Sequence, residues 1–471
     1  MSTQTSPRLL VIGAGPAGYP AAFHAADLGM SVTLLDLDPH MGGVCLQRGC
    51  IPSKALLHIA RFLEECREIE PIGVRVGTPT IELDRLRDWK QSVIRRLTGG
   101  LASLCAARRI EFIQGRAQFV SPDEVEIQTP HGTRRMPVDY ALIATGSRPA
   151  SLPGWPTSPR IMDSTAALDL PDIPKRLLVV GGGYIGLELG SIYTALGSRV
   201  SVVELTDGLL PGVDRSLVAP LQRRLGRRFE HIRLRTRVAA VMPEADSIRV
   251  TLEGPDGTQE ETYDRVLVSV GRRPNSEQLG LDRAGIEVDE RGFIRVDERR
   301  RTSHPRVWAA GDVAGEPMLA HKATYEAKIA VEAIAGRKVA YEPRAIPAVV
   351  FTDPEIAWAG LTQSEAERAS RPVRIVRFPW SASGRALTLE RTEGLTQWIL
   401  EPESNRILGV GIVGVNAGDL LAEGALAIEL GAVADDVAWT IHAHPTLSET
   451  LMEAAELASG HATHYLPSSR S

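Results

Sequence analysis

Leu9-Leu10-Val11-Ile12-Gly13-Ala14-Gly15-Pro16-Ala17-Gly18 decides the fold of this chain. The four apolar residues read as a buried strand, and the glycines after them fit a GxGxxG turn. An Ala-rich helix runs from there to Gly29. Val32-Thr33-Leu34-Leu35 makes the next strand, closed by Asp36. The glycines therefore stand between strand and helix, where a pyrophosphate must come close to the backbone at a helix N-terminus. Asp36 stands where ribose hydroxyls are accepted.

The pattern recurs. Leu177-Leu178-Val179-Val180 leads into Gly181-Gly182-Gly183-Tyr184-Ile185-Gly186, then a helix, then Val200-Ser201-Val202-Val203-Glu204. Gly13 and Asp36 are 23 positions apart, as are Gly181 and Glu204. One such motif is often only a glycine-rich turn. Two complete units at equal spacing point to two dinucleotides. Glu204 suits a free 2′-hydroxyl and repels a 2′-phosphate, and Leu205-Thr206-Asp207-Gly208 brings no Arg, so NAD is expected over NADP. Ala144-Thr145-Gly146-Ser147-Arg148-Pro149 closes the first nucleotide-binding region. Val307-Trp308-Ala309-Ala310-Gly311-Asp312 ends a strand with a carboxylate placed for a ribityl hydroxyl of a dinucleotide flavin. Gly-Asp is also a common turn pair, which leaves a plain turn open for Asp312.

After the first unit comes Gly42-Gly43-Val44-Cys45-Leu46-Gln47-Arg48-Gly49-Cys50-Ile51-Pro52-Ser53-Lys54, which holds two of the four cysteines. In a regular helix, positions five apart lie roughly 8–9 Å apart between Cα atoms. A disulfide needs about 7 Å or less. If Cys45 and Cys50 pair, the helix between them must be distorted, and Gly42, Gly43 and Gly49 give that freedom. Taken alone, the pair also fits two packing thiols. Beside a dinucleotide unit it reads as a redox pair. Cys66 and Cys105 carry no motif and read as packing thiols.

His442-Ala443-His444-Pro445-Thr446-Leu447-Ser448-Glu449 opens a helix expected to run to Leu457, with Pro445 at its first position. Glu449, about a turn beyond His444, is placed to fix its tautomer and raise its basicity. Thiol exchange needs such a base, because the thiolate is the reacting species. A His held by a local hydrogen bond is the other reading. It is accepted for His442, and the residues alone leave it open for His444.

The bulk of the sequence sets limits. A chain of 471 residues suggests about three domains, and 43% hydrophobic with 24% charged content is ordinary for a globular protein. The net charge of −5 gives no footprint for nucleic acid. No apolar run reaches the ~18 residues of a membrane span. Residues 1–8 are short and polar, without a signal-peptide core. The expected location is cytoplasmic, where a dithiol is catalytic rather than structural. Residues past Ser459 read as a loosely held polar tail. No metal site is expected.

Together these motifs resemble the dihydrolipoamide dehydrogenases, within the class I flavin-dependent pyridine nucleotide–disulfide oxidoreductases. The likeness runs from Leu9 to about Leu457 and rests on GxGxxG at Gly13, GGVCLQRGCIPSK at Gly42, GGGYIGLELG at Gly181, AAGDVAGEPMLAHKA at Ala309 and HAHPTLSE at His442. It implies two Rossmann-like nucleotide-binding domains plus an α+β C-terminal dimerisation domain. The expected divisions are 1–149 and 273–345 for FAD, 150–272 for NAD and 346–471 for dimerisation.

The resemblance also implies roles. Cys45 would exchange with the lipoyl sulfur, and Cys50 would lie against the flavin. Lys54, paired with Glu188, would sit near flavin N5. His444, oriented by Glu449, would take the dihydrolipoyl proton from across a homodimer interface. FAD would lie at Gly13, Gly15, Gly18, Asp36, Lys54, Ala117, Gly146, Asp312 and Ala320. NAD would lie at Gly181, Gly183, Gly186, Glu188, Glu204, Val238 and Gly271. Lipoyl-bearing acyltransferase subunits of 2-oxo acid dehydrogenase complexes, or a glycine-cleavage carrier protein, would be the partners. Another flavin disulfide reductase, or a non-catalytic sensor or scaffold subunit, is the alternative. Gln47 and Arg48 depart from the usual Asn and Val. Arg48 reads as a solvated Arg rather than one that tunes a thiol.

Overall fold

Strand β1 (Arg8–Ile12) is buried on both faces, and its side chains divide in the alternation a strand imposes. Leu9 and Val11 pack with Leu34 on one side, while Leu10 and Ile12 pack with Leu35 on the other. Such a doubly buried apolar run belongs in a parallel sheet. β1 pairs in parallel with β2 (Ser31–Asp36) and with Tyr140–Ile143, and the sheet is completed by Val307–Ala309 and Glu111–Gln114. Helix α1 (Gly18–Asp27) and the helix Ala320–Ile334 cover the first side. The antiparallel strands Arg116–Ser121, Glu124–Thr129 and Gly132–Pro137 cover the second. The computed structural model describes residues 7–466 of the chain.

The second lobe repeats this plan. Five parallel strands run in the order His231–Arg233, Arg199–Val203, Arg176–Val180, Arg265–Val268, Ile161–Met162. A three-stranded antiparallel sheet, Arg237–Pro243 with Ile248–Gly254 and Gly257–Tyr263, packs on one face. The two crossings between lobes lie side by side, since Ser147–Pro149 pairs antiparallel with Arg272–Pro274. The third region holds an antiparallel sheet that includes Ala348–Val350 and Ile407–Gly414, with helices Ala417–Leu430 and Glu449–Ser459 packed on it. The chain is thus α/β, with two Rossmann-like units and an α+β C-terminal region.

Two expectations change. The last long helix begins at Glu449, so Pro445 lies in the loop before it and not at its first position. The Glu449 carboxylate folds back onto the Thr446 N–H, 2.7 Å away, and this local bond replaces a helical first turn. Nor do residues 461–466 hang free. His464 Nδ1 bonds to Glu453, and the Tyr465 ring meets Phe378 edge-on at 6.3 Å. Residues 1–6 of the polar N-terminus, read as lacking a signal-peptide core, and 467–471 of the tail lie outside the described residues. Among the described residues, no helix is long and apolar enough to cross a membrane.

Candidate active site

The two glycine turns are built alike. Gly13 and Gly181 have φ of +106° and +107°, and a Cβ on either would strike a neighbouring strand-end carbonyl. Gly18 and Gly186 let the following helix press on that turn, where a Cβ would collide with the carbonyl of Gly13 or Gly181. Each acidic residue steadies its own turn. Asp36 Oδ2 accepts from Ala14 N at 2.5 Å, and Glu204 Oε2 accepts from Gly182 N at 2.7 Å. Burial pushes the Asp36 carboxyl above its usual range, against the Asp38 and Ala14 N–H groups.

A cavity opens in front of the first turn. Gly13, Gly15, Asp36, Cys45, Cys50, Lys54, Gly146, Glu188, Asp312 and Ala320 line it, as do Tyr184 and Arg272. It runs from the glycine turn along the dithiol to the edge of the second lobe, an elongated cradle whose glycine end offers backbone N–H groups to phosphate. Asp312 lies in its wall and accepts from Ser147 Oγ at 2.5 Å, and Arg272 donates to that same Ser147 Oγ at 2.7 Å. These features fit a dinucleotide flavin.

The helix between the cysteines is broken, as their pairing requires. Helix α2 (Gly43–Arg48) ends and α3 (Cys50–Glu68) starts at Gly49, whose φ/ψ is −145°/−113°. A Cβ at Gly49 would lie 2.8 Å from Val44 O and 3.1 Å from Cys45 Cα, so the turn that brings Cys50 back onto Cys45 excludes a side chain. The structure holds both as free thiols that bear on each other's ionisation. The neighbouring Cys45 thiol, aided by the Lys54 charge, pulls Cys50 down to about 7 against the Glu188 charge. The neighbouring Cys50, with burial, pushes Cys45 strongly up. The pair therefore ionises at Cys50 and keeps its proton on Cys45.

Lys54 Nζ lies 2.8 Å from Glu188 Oε2 and 4.5 Å from the centre of the Phe351 ring. Glu188 is only 3% exposed, and its other oxygen accepts the Phe351 N–H at 3.0 Å. One carboxylate thus ties α3, the second glycine unit's helix and the C-terminal region together beside the dithiol. Tyr184, pushed up to about 12 by burial, stays protonated at the cavity wall.

The remaining expected positions lie elsewhere. Gly181, Gly183 and Gly186 form the second turn, and Gly271 follows the neighbouring strand Arg265–Val268. Glu204 is buried, with its second oxygen taken by Thr206 N and Oγ1 at 2.8 Å. Val238 sits on the covering sheet and Ala117 in the core behind the first sheet, so neither side chain lines the cavity. Arg48 pairs with Asp38 rather than with a thiol. Cys105 is buried as a packing thiol.

His444 is not among the residues that line the dithiol cavity. Its side chain is 71% exposed, and Nδ1 lies 2.8 Å from Glu449 Oε1. Burial pushes Glu449 up, but the Thr446 N–H and His444 outweigh it and hold the carboxyl below its usual range. An ionised Glu449 keeps the Nδ1 proton in place and leaves Nε2 as the basic nitrogen. His442 is held by Glu423 and Thr440 O, which is a structural placement. Sequence reasoning missed Ser147, Tyr184, Arg272 and Phe351 as site residues. Tyr184, inside the second glycine motif, and Ser147, inside Ala144–Pro149, are the two that local sequence already marks.

Residues 7–327 match the pyridine nucleotide-disulphide oxidoreductase family, and residues 346–455 match its dimerisation domain. A protein of Vibrio cholerae named dihydrolipoyl dehydrogenase is 45% identical over 462 residues, covering 98% of this chain and 97% of its own. One of the same name from Thermus scotoductus is 46% identical, covering 97% and 98%. Among solved structures, LpdA of Mycobacterium tuberculosis superposes with a TM-score of 0.89 at 28% identity, covering 96% of this chain and 99% of that one. The HOCl-induced flavoprotein disulfide reductase RclA of Escherichia coli gives 0.85 at 27%, covering 96% and 99%.

Proposed function

The chain belongs to the pyridine nucleotide-disulphide oxidoreductase family, and from that premise we propose that it is a dihydrolipoyl dehydrogenase. It oxidises protein-bound dihydrolipoyl groups to the disulfide and reduces NAD⁺ to NADH. The observation that carries this reading is the Cys45/Cys50 pair on the cavity wall, turned together at Gly49 and joined through Lys54 and Glu188 to the second nucleotide unit.

The residues divide the work. A dihydrolipoyl thiolate attacks Cys45 of the oxidised pair, and Cys50 leaves as the thiolate its surroundings favour. The second lipoyl sulfur then attacks the first, which closes the lipoyl disulfide and returns Cys45 as a thiol. His444, with Glu449 fixing its tautomer, takes the dihydrolipoyl proton at Nε2. Gly13, Gly15, Asp36, Lys54, Gly146, Asp312 and Ala320 would hold FAD, which would supply the two-electron chemistry between the dithiol and the nicotinamide. Gly181, Gly183, Gly186, Glu188 and Glu204 hold the NAD.

His444 is exposed and does not line the cavity that holds the dithiol of its own chain, which supports a role towards a second copy. It acts on a second copy across a homodimer interface. Trp439 and Ile441, 86% and 97% exposed just before it, supply apolar surface for that contact. We assign residues 1–149 and 273–345 to FAD binding, 150–272 to NAD and 346–471 to dimerisation. The protein is read as a cytoplasmic subunit that serves lipoyl-bearing acyltransferases or a glycine-cleavage carrier. Anaerobic addition of dihydrolipoamide to the FAD-loaded protein, without NAD⁺, tests this reading. Loss of the oxidised flavin absorbance is expected, and an unchanged spectrum contradicts it.

A further inference from the structure

Behind the cavity wall lies a buried ionic cluster that the proposed reaction does not use. Glu326, on the helix Ala320–Ile334, is 0% exposed. Its Oε2 accepts the Gly311 N–H at 2.7 Å. Its Oε1 lies 3.0 Å from Arg300 Nη2 and 2.9 Å from Lys322 Nζ. Both cations are themselves buried, and Lys322 Nζ also donates to Gly315 O at 3.0 Å. The cluster so grips both ends of the loop 311–315, whose second residue is Asp312 in the cavity wall. Gly311 adopts φ +83°, and a Cβ there would press on Ala17 and Ala323, so the loop fits in one seat only.

Buried ion clusters are costly unless their geometry is complete, and removing one member leaves an uncompensated charge. One carboxylate against two cations leaves a net positive charge behind a wall that faces a ligand carrying a pyrophosphate. We propose that Glu326, with Arg300 and Lys322, is a positioning element for FAD, setting the Gly311–Asp312 turn from behind without touching the cofactor. The inference rests on the FAD-binding reading given above.

The test is FAD affinity, measured by fluorescence on apoprotein whose fold is checked by circular dichroism. Glu326→Gln keeps an oxygen for the Gly311 N–H but removes the charge between the two cations. A loss of about tenfold or more in affinity is expected, the size of one charge-assisted bond. In an Asp312→Asn background the same change should cost less than about threefold, because the cluster acts through that residue. Equal losses in both backgrounds mean general destabilisation and overturn the proposal, as does an affinity equal to the parent's. Should Glu326→Gln not fold, Lys322→Gln, which keeps the Glu326–Arg300 pair, is read in the same way against the same outcomes. A parent protein that binds no FAD instead sinks the flavin reading itself.

Discussion

Lys54 and Glu188 should move the Cys50 pKa in opposite directions. Cys50 and Lys54 stand one turn apart on α3, about 6 Å between side chains. Two unit charges at that distance interact by roughly 3 kcal/mol at an effective dielectric of ~20. Lys54 is 32% exposed and shares its charge with Glu188, so about half of this remains, or roughly one pKa unit. Lys54→Met should therefore raise Cys50 from about 7 towards 8, and Glu188→Gln should lower it by less than a unit. A group at about 7 is half ionised at neutral pH, whereas an ordinary thiol is only about three per cent thiolate there. The assay is the rate of iodoacetamide alkylation against pH in the reduced protein. Trypsin cuts after Arg48 in parent and variants alike, so Cys45 and Cys50 fall in separate peptides and are read independently. Below its pKa the Cys50 rate should fall about tenfold per pH unit, and above it the rate should level off. An unshifted or lowered Cys50 profile in Lys54→Met refutes the electrostatic assignment.

Other outcomes follow from the same geometry. His444→Gln should slow dihydrolipoamide oxidation by about 10²-fold or more with the flavin spectrum intact; a rate within threefold of the parent removes His444 as the base. Gly49→Ala should hinder closure of the Cys45–Cys50 disulfide, because its Cβ meets Val44 O at 2.8 Å, and a thiol titration after oxidation should find both cysteines still reactive. Asp214 is buried and accepts from Gln363 N, Ser364 N and Gln397 Nε2, each at 3.0 Å, joining the second lobe to the C-terminal region. Asp214→Ala should cost about 2–4 kcal/mol, seen as a lower denaturant midpoint at unchanged slope; an unmoved midpoint contradicts it. Glu204→Ala should raise the KM for NAD⁺ about tenfold and leave Cys50 alkylation as it was.

What the sequence made legible is what local spacing encodes. The two glycine turns, the cysteines around Gly49 and the His444–Glu449 pair all lie within a few residues of their partners or repeat at a fixed interval. The contacts that long-range packing creates were not legible. Phe351 meets Glu188 across 163 positions, and Ser147 meets Asp312 across 165. No periodicity announces either. Glu326 reads as an ordinary polar residue on an amphipathic helix until the fold buries it beneath Gly311. The helix start at Glu449 was misplaced because proline at a first position and proline in a preceding loop look alike in sequence. Here the Glu449 carboxylate, turned back on Thr446, decides between them. The tail was underrated because Tyr465 finds Phe378 only once the C-terminal sheet has formed.

The central claim is that electrons enter from a dihydrolipoyl dithiol through Cys45. Its most direct test is NADH formation from dihydrolipoamide and NAD⁺, with the FAD-loaded parent and a Cys45→Ser variant side by side. Turnover in the parent and its loss in the variant, with flavin still bound, is the predicted result. A parent that reduces some other disulfide with NADH but leaves dihydrolipoamide untouched contradicts the substrate and keeps only the family.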